Sequence, residues 1–307
     1  MKDIWAVIIN PVAGKKGFKK NFELTRKLFA ANNLSFKEFI SEQKNHSEQL
    51  TTELIEKGYR KFVAMGGDGT LHDLANGILK QDQVHSNEII LSQIPTGTGN
   101  DWQKTYSLSG GIAAAVKRIA AGNTILQDAG KLTFINPVGE KTIKYFINVT
   151  GLGFDALVTK KVNESRDKGI TGKMIYLYTL LNSLLKSDHT VCNIKIGNEI
   201  IEDEIFNLTI GICKYNGGGM LFLPDAIPDD GLLDITLVKR ISKFDVIRNI
   251  RNIYDGSFIK HPAVSQYKSA SVTIASEYPV GIEADGEFLG YTPATFELVH
   301  KSLSISR

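Results

Sequence analysis

The sequence predicts an N-terminal doubly wound, mostly parallel α/β domain followed by a C-terminal antiparallel β-sandwich-like domain with helices. Three observations carry this reading. Short apolar runs alternate with helical patterns up to about Asp128, the signature of a parallel sheet with helices on both faces. Beyond Asp128, segments of alternating polarity dominate and only two strong helical stretches interrupt them. The 307 residues also exceed what one typical core organises. The expected domains are 1–128 and 129–307, with the last residues, about 290–307, packing back on the first. No Pro/Gly/Ser-rich linker separates them, which predicts close packing.

The elements follow in order. Ile4–Asn10 is an apolar run and reads as a buried strand. Asn21–Ala31 has helical spacing through Phe22, Leu24, Leu28 and Phe29. Ser35–Ile40 is a short strand, and Glu48–Lys57 a helix stopped by Gly58. Phe62–Met65 is a strand and Leu71–Lys80 a helix. Glu88–Ile94 is a strand ending at Pro95, and Ile112–Ala121 a helix ended by Gly122. In the second half the predicted strands are Lys131–Phe134, Lys144–Val149, Val191–Ile196, Phe206–Cys213, Leu233–Val238, Ala270–Ile274 and Ala294–Val299. The predicted helices there are Lys173–Lys186 and Lys243–Ile253.

Composition narrows the function classes. A net charge of +3 is too small to argue for nucleic acid, yet it suits ATP-like anions or brief contact with an anionic membrane. Cys192 and Cys213 sit in apolar runs without metal-ligand spacing, as reduced core residues of a cytosolic protein do. The N-terminus lacks the apolar core and cleavage site of a signal peptide, and no apolar run is long enough to span a bilayer. The expected location is cytoplasmic, with transient membrane association.

Three loops sit where ligands bind in open parallel sheets, beyond the C-terminal strand ends. They are Asn10-Pro11-Val12-Ala13-Gly14-Lys15, Gly66-Gly67-Asp68-Gly69-Thr70, and Pro95-Thr96-Gly97-Thr98-Gly99-Asn100-Asp101. One such loop alone is most simply a tight turn. Three at equivalent places point to a phosphate-binding edge, where glycines let backbone N–H groups converge on an anion at a helix N-terminus. None matches the P-loop or G-x-G-x-x-G patterns. Asp68 and Asp101 would repel phosphate unless a cation lay between, and Mg²⁺ suits that place because it takes oxygen ligands and bridges carboxylates to phosphates.

GGDGTLHDLANGI (66–78), PTGTGND (95–101), NPVAG (10–14) and ADGE (284–287) together resemble the diacylglycerol kinase catalytic family. That family includes bacterial lipid kinases and is similar to sphingosine and ceramide kinases. GGDGT alone is less specific, since NAD kinases and related phosphofructokinases carry similar loops. The resemblance implies an ATP-dependent lipid kinase that phosphorylates a hydroxyl of a diacylglycerol-like lipid, with ATP and Mg²⁺ as cofactors. It implies that Gly66, Gly67, Asp68, Gly69 and Thr70 cradle ATP phosphates, with Asn10, Gly97, Thr98, Gly99 and Asn100 lining the nucleotide. Asp68, Asp101, Asp128 and Glu287 would hold catalytic Mg²⁺, mainly through water. Asp285 would be the general base, although Asp-Gly is also a common hairpin pair. AIPDDGLLD (226–234) resembles a structural Mg²⁺ loop, with Asp230 giving its carboxylate and Ile227 and Leu232 their carbonyls. The ATP side and the base would then meet in a cleft between the domains, whose closure excludes water.

Weaker signals complete the reading. Lys15, Lys16, Lys19 and Lys20 cluster as a solvated face does, and Lys15, directly after the first loop, is the choice for a phosphate contact. Lys104 stands where family members often carry arginine. Met174–Leu185 is apolar around most of its circumference, which suits burial between layers, a wall for acyl chains or a shallow membrane dip. Phe146–Ala156, with Gly151 and Gly153, receives no chemistry. His72 and the other histidines form no metal-like cluster. The expected partner is a lipid substrate presented at a membrane surface; nucleic acid is not expected, and a homodimer is possible. Two other readings stay open: an NAD kinase-like enzyme acting on a soluble nucleotide, and a nucleotide- or lipid-binding regulator without catalysis.

Overall fold

The computed structural model describes residues 1–11, 17–43, 45–97, 99–170 and 173–307. The chain divides into two compact units. The first comprises Met1–Ala129, Pro228–Asp230 and Val299–Arg307, and the second Gly130–Ile227 and Gly231–Leu298.

In the first unit, β1 (Trp5–Ile9), α1 (Phe18–Ala31), β2 (Phe36–Ile40), α2 (His46–Glu56), β3 (Lys61–Gly66), α3 (Asp68–Lys80), β4 (Ile90–Pro95), α4 (Asp101–Thr105) and α5 (Gly111–Ala121) follow in order. The sheet runs β4-β3-β1-β2 with every pair parallel. Strand alternation sends Trp5, Val7 and Ile9 into one core with Val63, Met65, Phe29 of α1 and Val116 and Ile119 of α5. On the other face α2 and α3 pack together. Gly58 and Gly122 end α2 and α5 with φ of +90° and +71°, the left-handed conformation that glycine adopts without a Cβ clash.

Strand β5 (Thr124–Ile135) begins in the first unit and continues into the second. There follow β6 (Lys141–Phe146), β7 (Val149–Gly153), α6 (Phe154–Asp167), α7 (Lys173–Lys186), β8 (Thr190–Ile196), β9 (Glu199–Gly211), β10 (Tyr215–Asn216), β11 (Met220–Leu221), β12 (Leu233–Lys239), α8 (Lys243–Asn249), α9 (Asn252–Asp255), β13 (Val264–Ser269), β14 (Ser271–Ser276), β15 (Gly281–Ala284) and β16 (Glu287–Ser306). Two antiparallel layers share their long strands, as in a β-sandwich. The first half of β9 pairs with β8, and its second half with β7 and β12. Likewise β16 pairs first with β15 and then with β14. Its last residues return to the first unit, where Ser304 and Ile305 pair in parallel with β4.

Two predictions of local structure change, and one strand was not predicted. Lys144–Val149 is two strands, because the N–H groups of Ile147 and Asn148 leave the ladder to donate to a carboxylate. Lys243–Ile253 is two short helices, α8 and α9. Val264–Ser269, with only Val264 and Tyr267 to mark it, is a strand antiparallel to β12. Both cysteines are buried and free. Among the described residues no helix is long and apolar enough to cross a membrane.

Candidate functional site

The register of the parallel sheet places the three glycine-rich loops side by side. Ile9 is opposite Met65 and Gly66 opposite Pro95, so β1, β3 and β4 end at one edge. Two backbone bonds tie the loops there: Asn10 N–H donates to Met65 O at 3.3 Å and Thr96 N–H to Gly66 O at 3.0 Å. Gly69 lies in the first turn of α3. Lys15 and Thr98, and with them Val12, Ala13 and Gly14, lie outside the described residues.

The glycines have reasons that only contact reveals. A Cβ at Gly97 would stand 2.5 Å from the Cα of Gly67, so the second and third loops press backbone to backbone. A Cβ at Gly66 would meet the Thr70 hydroxyl at 2.2 Å. Thr70 is buried, its side chain folded over the end of β3. Its side chain therefore fills the space that a Cβ at Gly66 would need. Gly67 N–H and the first turn of α3 still present the helix N-terminus at this edge.

The two loop carboxylates meet. Asp101 N–H, the first of α4, donates to Asp68 Oδ2 at 3.0 Å. A Cβ at Gly99 would lie 3.3 Å from Asp68 Oδ2 and 3.6 Å from Asp101 Oδ2, so the absent side chain leaves a notch walled by both acids. Oxygen donors around such a notch fit a hard cation such as Mg²⁺. Lys104 Nζ holds the other Asp101 oxygen at 2.6 Å. Asn100, at φ +49°, donates to Gly97 O at 2.9 Å, and its Oδ1 is buried without a hydrogen-bond partner among the described residues. Helix α4 is anchored from beneath: Trp102 Nε1 and Tyr106 Oη both donate to Gln127 Oε1, at 2.8 and 2.6 Å.

Asp128 faces other partners. Its Oδ1 accepts Lys301 N–H at 2.6 Å and lies 2.9 Å from His300 Nδ1, and its own N–H donates to Pro228 O at 2.8 Å. This buried carboxylate thus ties β5 to the end of β16, while the backbone N–H of the same residue ties it to the Pro228–Asp230 segment. Among the described residues no three Asp, Glu, His or Cys side chains gather as a metal-holding group. Ile227, Asp230 and Leu232 lie in a turn before β12, with Gly231 at φ +81°. His72 is buried on α3, 3.2 Å from Asn76 Nδ2.

In the second unit, Asp285 and Gly286 are the central pair of the β15–β16 hairpin, at φ +49° and +85°. Positive φ at both positions is the type I′ signature that Asp-Gly favours. The Asp285 carboxylate accepts three successive backbone N–H groups: Ile147 on Oδ2 at 3.0 Å, and Asn148 and Val149 on Oδ1 at 3.0 and 3.2 Å. The turn and the break between β6 and β7 are therefore one arrangement. Glu287 begins β16, with Arg166 Nη1 3.8 Å from its carboxylate.

The same unit holds a carboxylate pair that sequence reasoning missed. Gly151 of β7 pairs with Glu283 of β15 on one side and Thr209 of β9 on the other. A Cβ there would lie 3.0 Å from Asp155 Oδ2 and 3.1 Å from Glu283 Oε1, so the glycine lets both acids close over the strand. Asn207 Nδ2 donates to Asp155 Oδ2 at 2.9 Å, while Asn207 Oδ1 accepts Asp155 N–H at 2.9 Å. Glu283 accepts from Asn216 Nδ2 at 3.1 Å and from Gly286 N–H at 3.0 Å. Burial pushes the Asp155 carboxyl up to about 6. Burial first, and then the neighbouring Asp155 charge, hold Glu283 well above the usual carboxylate range. The sequence signal was a glycine beside an acid in GLGFDA, but the second acid lies far away in the chain.

The chain thus joins a parallel sheet, with glycine loops and paired acids at one edge, to a β-sandwich, an arrangement that fits a kinase. Comparison with known proteins agrees. Residues 4–132 match the profile described as the diacylglycerol kinase catalytic domain. Residues 148–307 match the YegS C-terminal NAD kinase beta sandwich-like domain. The chain belongs to the diacylglycerol kinase catalytic-domain family of lipid kinases. It is 28% identical to a diacylglycerol kinase of Staphylococcus haemolyticus over 96% of this chain and 86% of that one. It is 26% identical to one from Staphylococcus carnosus over 94% and 90%. In fold it is similar to a diacylglycerol kinase from Bacillus anthracis, with TM-score 0.73 at 21% identity over 99% and 96% of the two chains. A more distant fold likeness joins it to yeast NADH kinase, with TM-score 0.54 at 10% identity over 99% and 83%.

Proposed function

We propose that this protein is an ATP- and Mg²⁺-dependent lipid kinase that transfers the γ-phosphate to a hydroxyl of a diacylglycerol-like lipid. The observation that carries this reading is the notch at Gly99, where Asp68 and Asp101 converge beside the N-termini of α3 and α4. Helix N-termini and loop N–H groups attract the phosphates. Asp68 and Asp101 would hold Mg²⁺, which neutralises charge on the transferred phosphoryl group. Lys104, already on Asp101, keeps that carboxylate oriented.

We assign deprotonation of the acceptor to Asp285. The hydroxyl proton passes to its carboxylate as the new O–P bond forms, the bond to the bridging oxygen breaks, and ADP leaves. Three backbone N–H groups fix the carboxylate's orientation, which suits a group that must be positioned and not merely present. The relatives' names support a lipid acceptor. The test incubates the protein with labelled ATP, Mg²⁺ and either diacylglycerol, NAD or a total lipid extract, and identifies the labelled product. Labelled phosphatidic acid is the expected result. Label in NADP, or none in any lipid, would overturn the proposal.

A further inference from the structure

Among its described side chains, helix α7 buries hydroxyls and exposes large apolar groups. Its buried side carries Thr179 and Ser183 beside Leu180 and Leu184, and Ser187, just past its end, is buried as well. Its solvent side carries Tyr178, Leu181 and Leu185, at 69%, 41% and 70% exposure. Steps of three and four residues set those three within about 60° of one another on the helix. Buried hydroxyls have partners: Lys161 Nζ donates to Ser183 Oγ at 3.2 Å, and Ser187 Oγ to Leu184 O at 2.8 Å. A water-facing helix ordinarily shows the opposite arrangement.

The stripe continues on α8. Lys243 Nζ donates to Leu185 O at 2.6 Å, and His189 Nε2 lies within 3.1 Å of Ile241 O, so the end of α7 is tied to the start of α8. Helix α8 has no buried residue, and it exposes Phe244 at 70% and Ile247 at 50%. Basic side chains rim this apolar face: Lys186, Lys243, Arg248 and Arg251 are all exposed. Lys161 stands close enough to Lys186 that, after burial, the Lys186 charge is what lowers its proton affinity. Acids nearby include Asp188, Asp245 and Glu164; Asp245 is held by the Ser242 hydroxyl, and Glu164 acts on Lys161.

We infer that the α7–α8 face docks this protein onto an anionic lipid bilayer, with Tyr178, Leu181, Leu185, Phe244 and Ile247 entering the boundary between headgroups and acyl chains. The inference rests on the lipid-kinase reading for its purpose, and it adds the surface by which the enzyme reaches its substrate. Charge selects the occupant. A second copy seated symmetrically on this face would bring one basic rim against another, whereas anionic headgroups neutralise Lys186, Lys243 and Arg248. The long lysine and arginine stems lie along the apolar face while their charges stay at phosphate level.

The test is co-sedimentation of the full chain with vesicles of phosphatidylglycerol and phosphatidylcholine, and of phosphatidylcholine alone. The wild type binds the anionic vesicles more tightly, and salt weakens that binding. The triple variant Leu181→Ser, Leu185→Ser, Phe244→Ser binds them at least about tenfold more weakly. Val138→Ser, at an equally exposed apolar residue in the β5–β6 turn, binds as the wild type does. All the substitutions are at exposed positions, and melting temperatures check that each variant is folded. Kinase assays separate the two readings. Loss of activity on vesicle lipid with retention on a water-soluble short-chain acceptor supports docking. A wild type that binds vesicles through this face but phosphorylates no lipid leaves docking standing and removes the kinase reading. Wild-type vesicle binding by the triple variant overturns the inference. So does equal wild-type binding to neutral vesicles, or a triple variant that loses only a dimer.

Discussion

Replacing Asp155 with asparagine removes one of the two carboxylates that meet over Gly151 while keeping an oxygen to accept the Asn207 and Thr209 hydrogen bonds. Burial raises the Asp155 carboxyl from the ordinary 3.8 to about 6. Between those values the folded chain holds a proton that the unfolded chain has released. Stability from this group is therefore fully present below about pH 4, falls as the pH rises through about 6, and is then level. A difference of that size corresponds to about 3 kcal/mol. Asp155 keeps partial solvent contact, and screening reduces the expected effect to about 2 kcal/mol. Removing its charge also relieves Glu283, whose proton it helps retain, so the two effects share a sign. Thermal melts of wild type and Asp155→Asn from pH 4 to pH 8 provide the assay, because titrations elsewhere cancel in the difference. The variant should match the wild type near pH 4 and melt about 3–6 °C higher at pH 8. A gap that stays constant with pH, or a variant less stable than wild type at pH 8, would refute the reasoning.

Three further outcomes follow. Gly97→Ala drives a methyl group against the Gly67 Cα, and we expect a loss of about 1–3 kcal/mol in stability with weaker ATP binding; unchanged values in melts and nucleotide titration would show that the loops need not touch. Asp68→Asn and Asp101→Asn should each lower turnover by about a hundredfold or more and move the Mg²⁺ requirement to higher concentration; a rate insensitive to Mg²⁺ or its chelation would remove the metal from the proposal. Asp285→Asn should lower turnover by about 10²–10⁴-fold. It also turns an amide NH₂ toward backbone N–H groups, at a cost of about 1–3 kcal/mol, so activity is compared at a temperature where the variant is folded. A near wild-type rate there would end the assignment of Asp285 as base.

Asp285 shows how a bland and a chemical reading can rest on one residue. The hairpin reading of Asp-Gly describes the backbone correctly, down to positive φ at both positions. Yet the same carboxylate interrupts the strand predicted at Lys144–Val149 by taking three of its N–H groups. A structural demand and the proposed catalytic one thus fall on one side chain, and turnover must be separated from stability when it is changed.

The sequence by itself determined the two architectures and the three loops at the strand ends, because periodicity and turn chemistry are local properties. β1, β3 and α3 fall where short-range pattern puts them, and Gly58 and Gly122 stop their helices as a left-handed terminus requires. Where two weak patterns met, locality failed: Val264–Ser269 alternates with too few apolar residues to register. Contact decided the rest. Which glycine serves which purpose depends on Gly67 meeting Gly97 and on Thr70 covering Gly66. That Asp128 turns to Lys301 and His300, or that Asp155 and Glu283 share the gap at Gly151, depends on strand register between distant segments. The inverted polarity of α7 needed the same knowledge. Its sequence shows an apolar helix with a few hydroxyls, but only packing against α6 decides which side keeps the hydroxyls and which side meets the solvent.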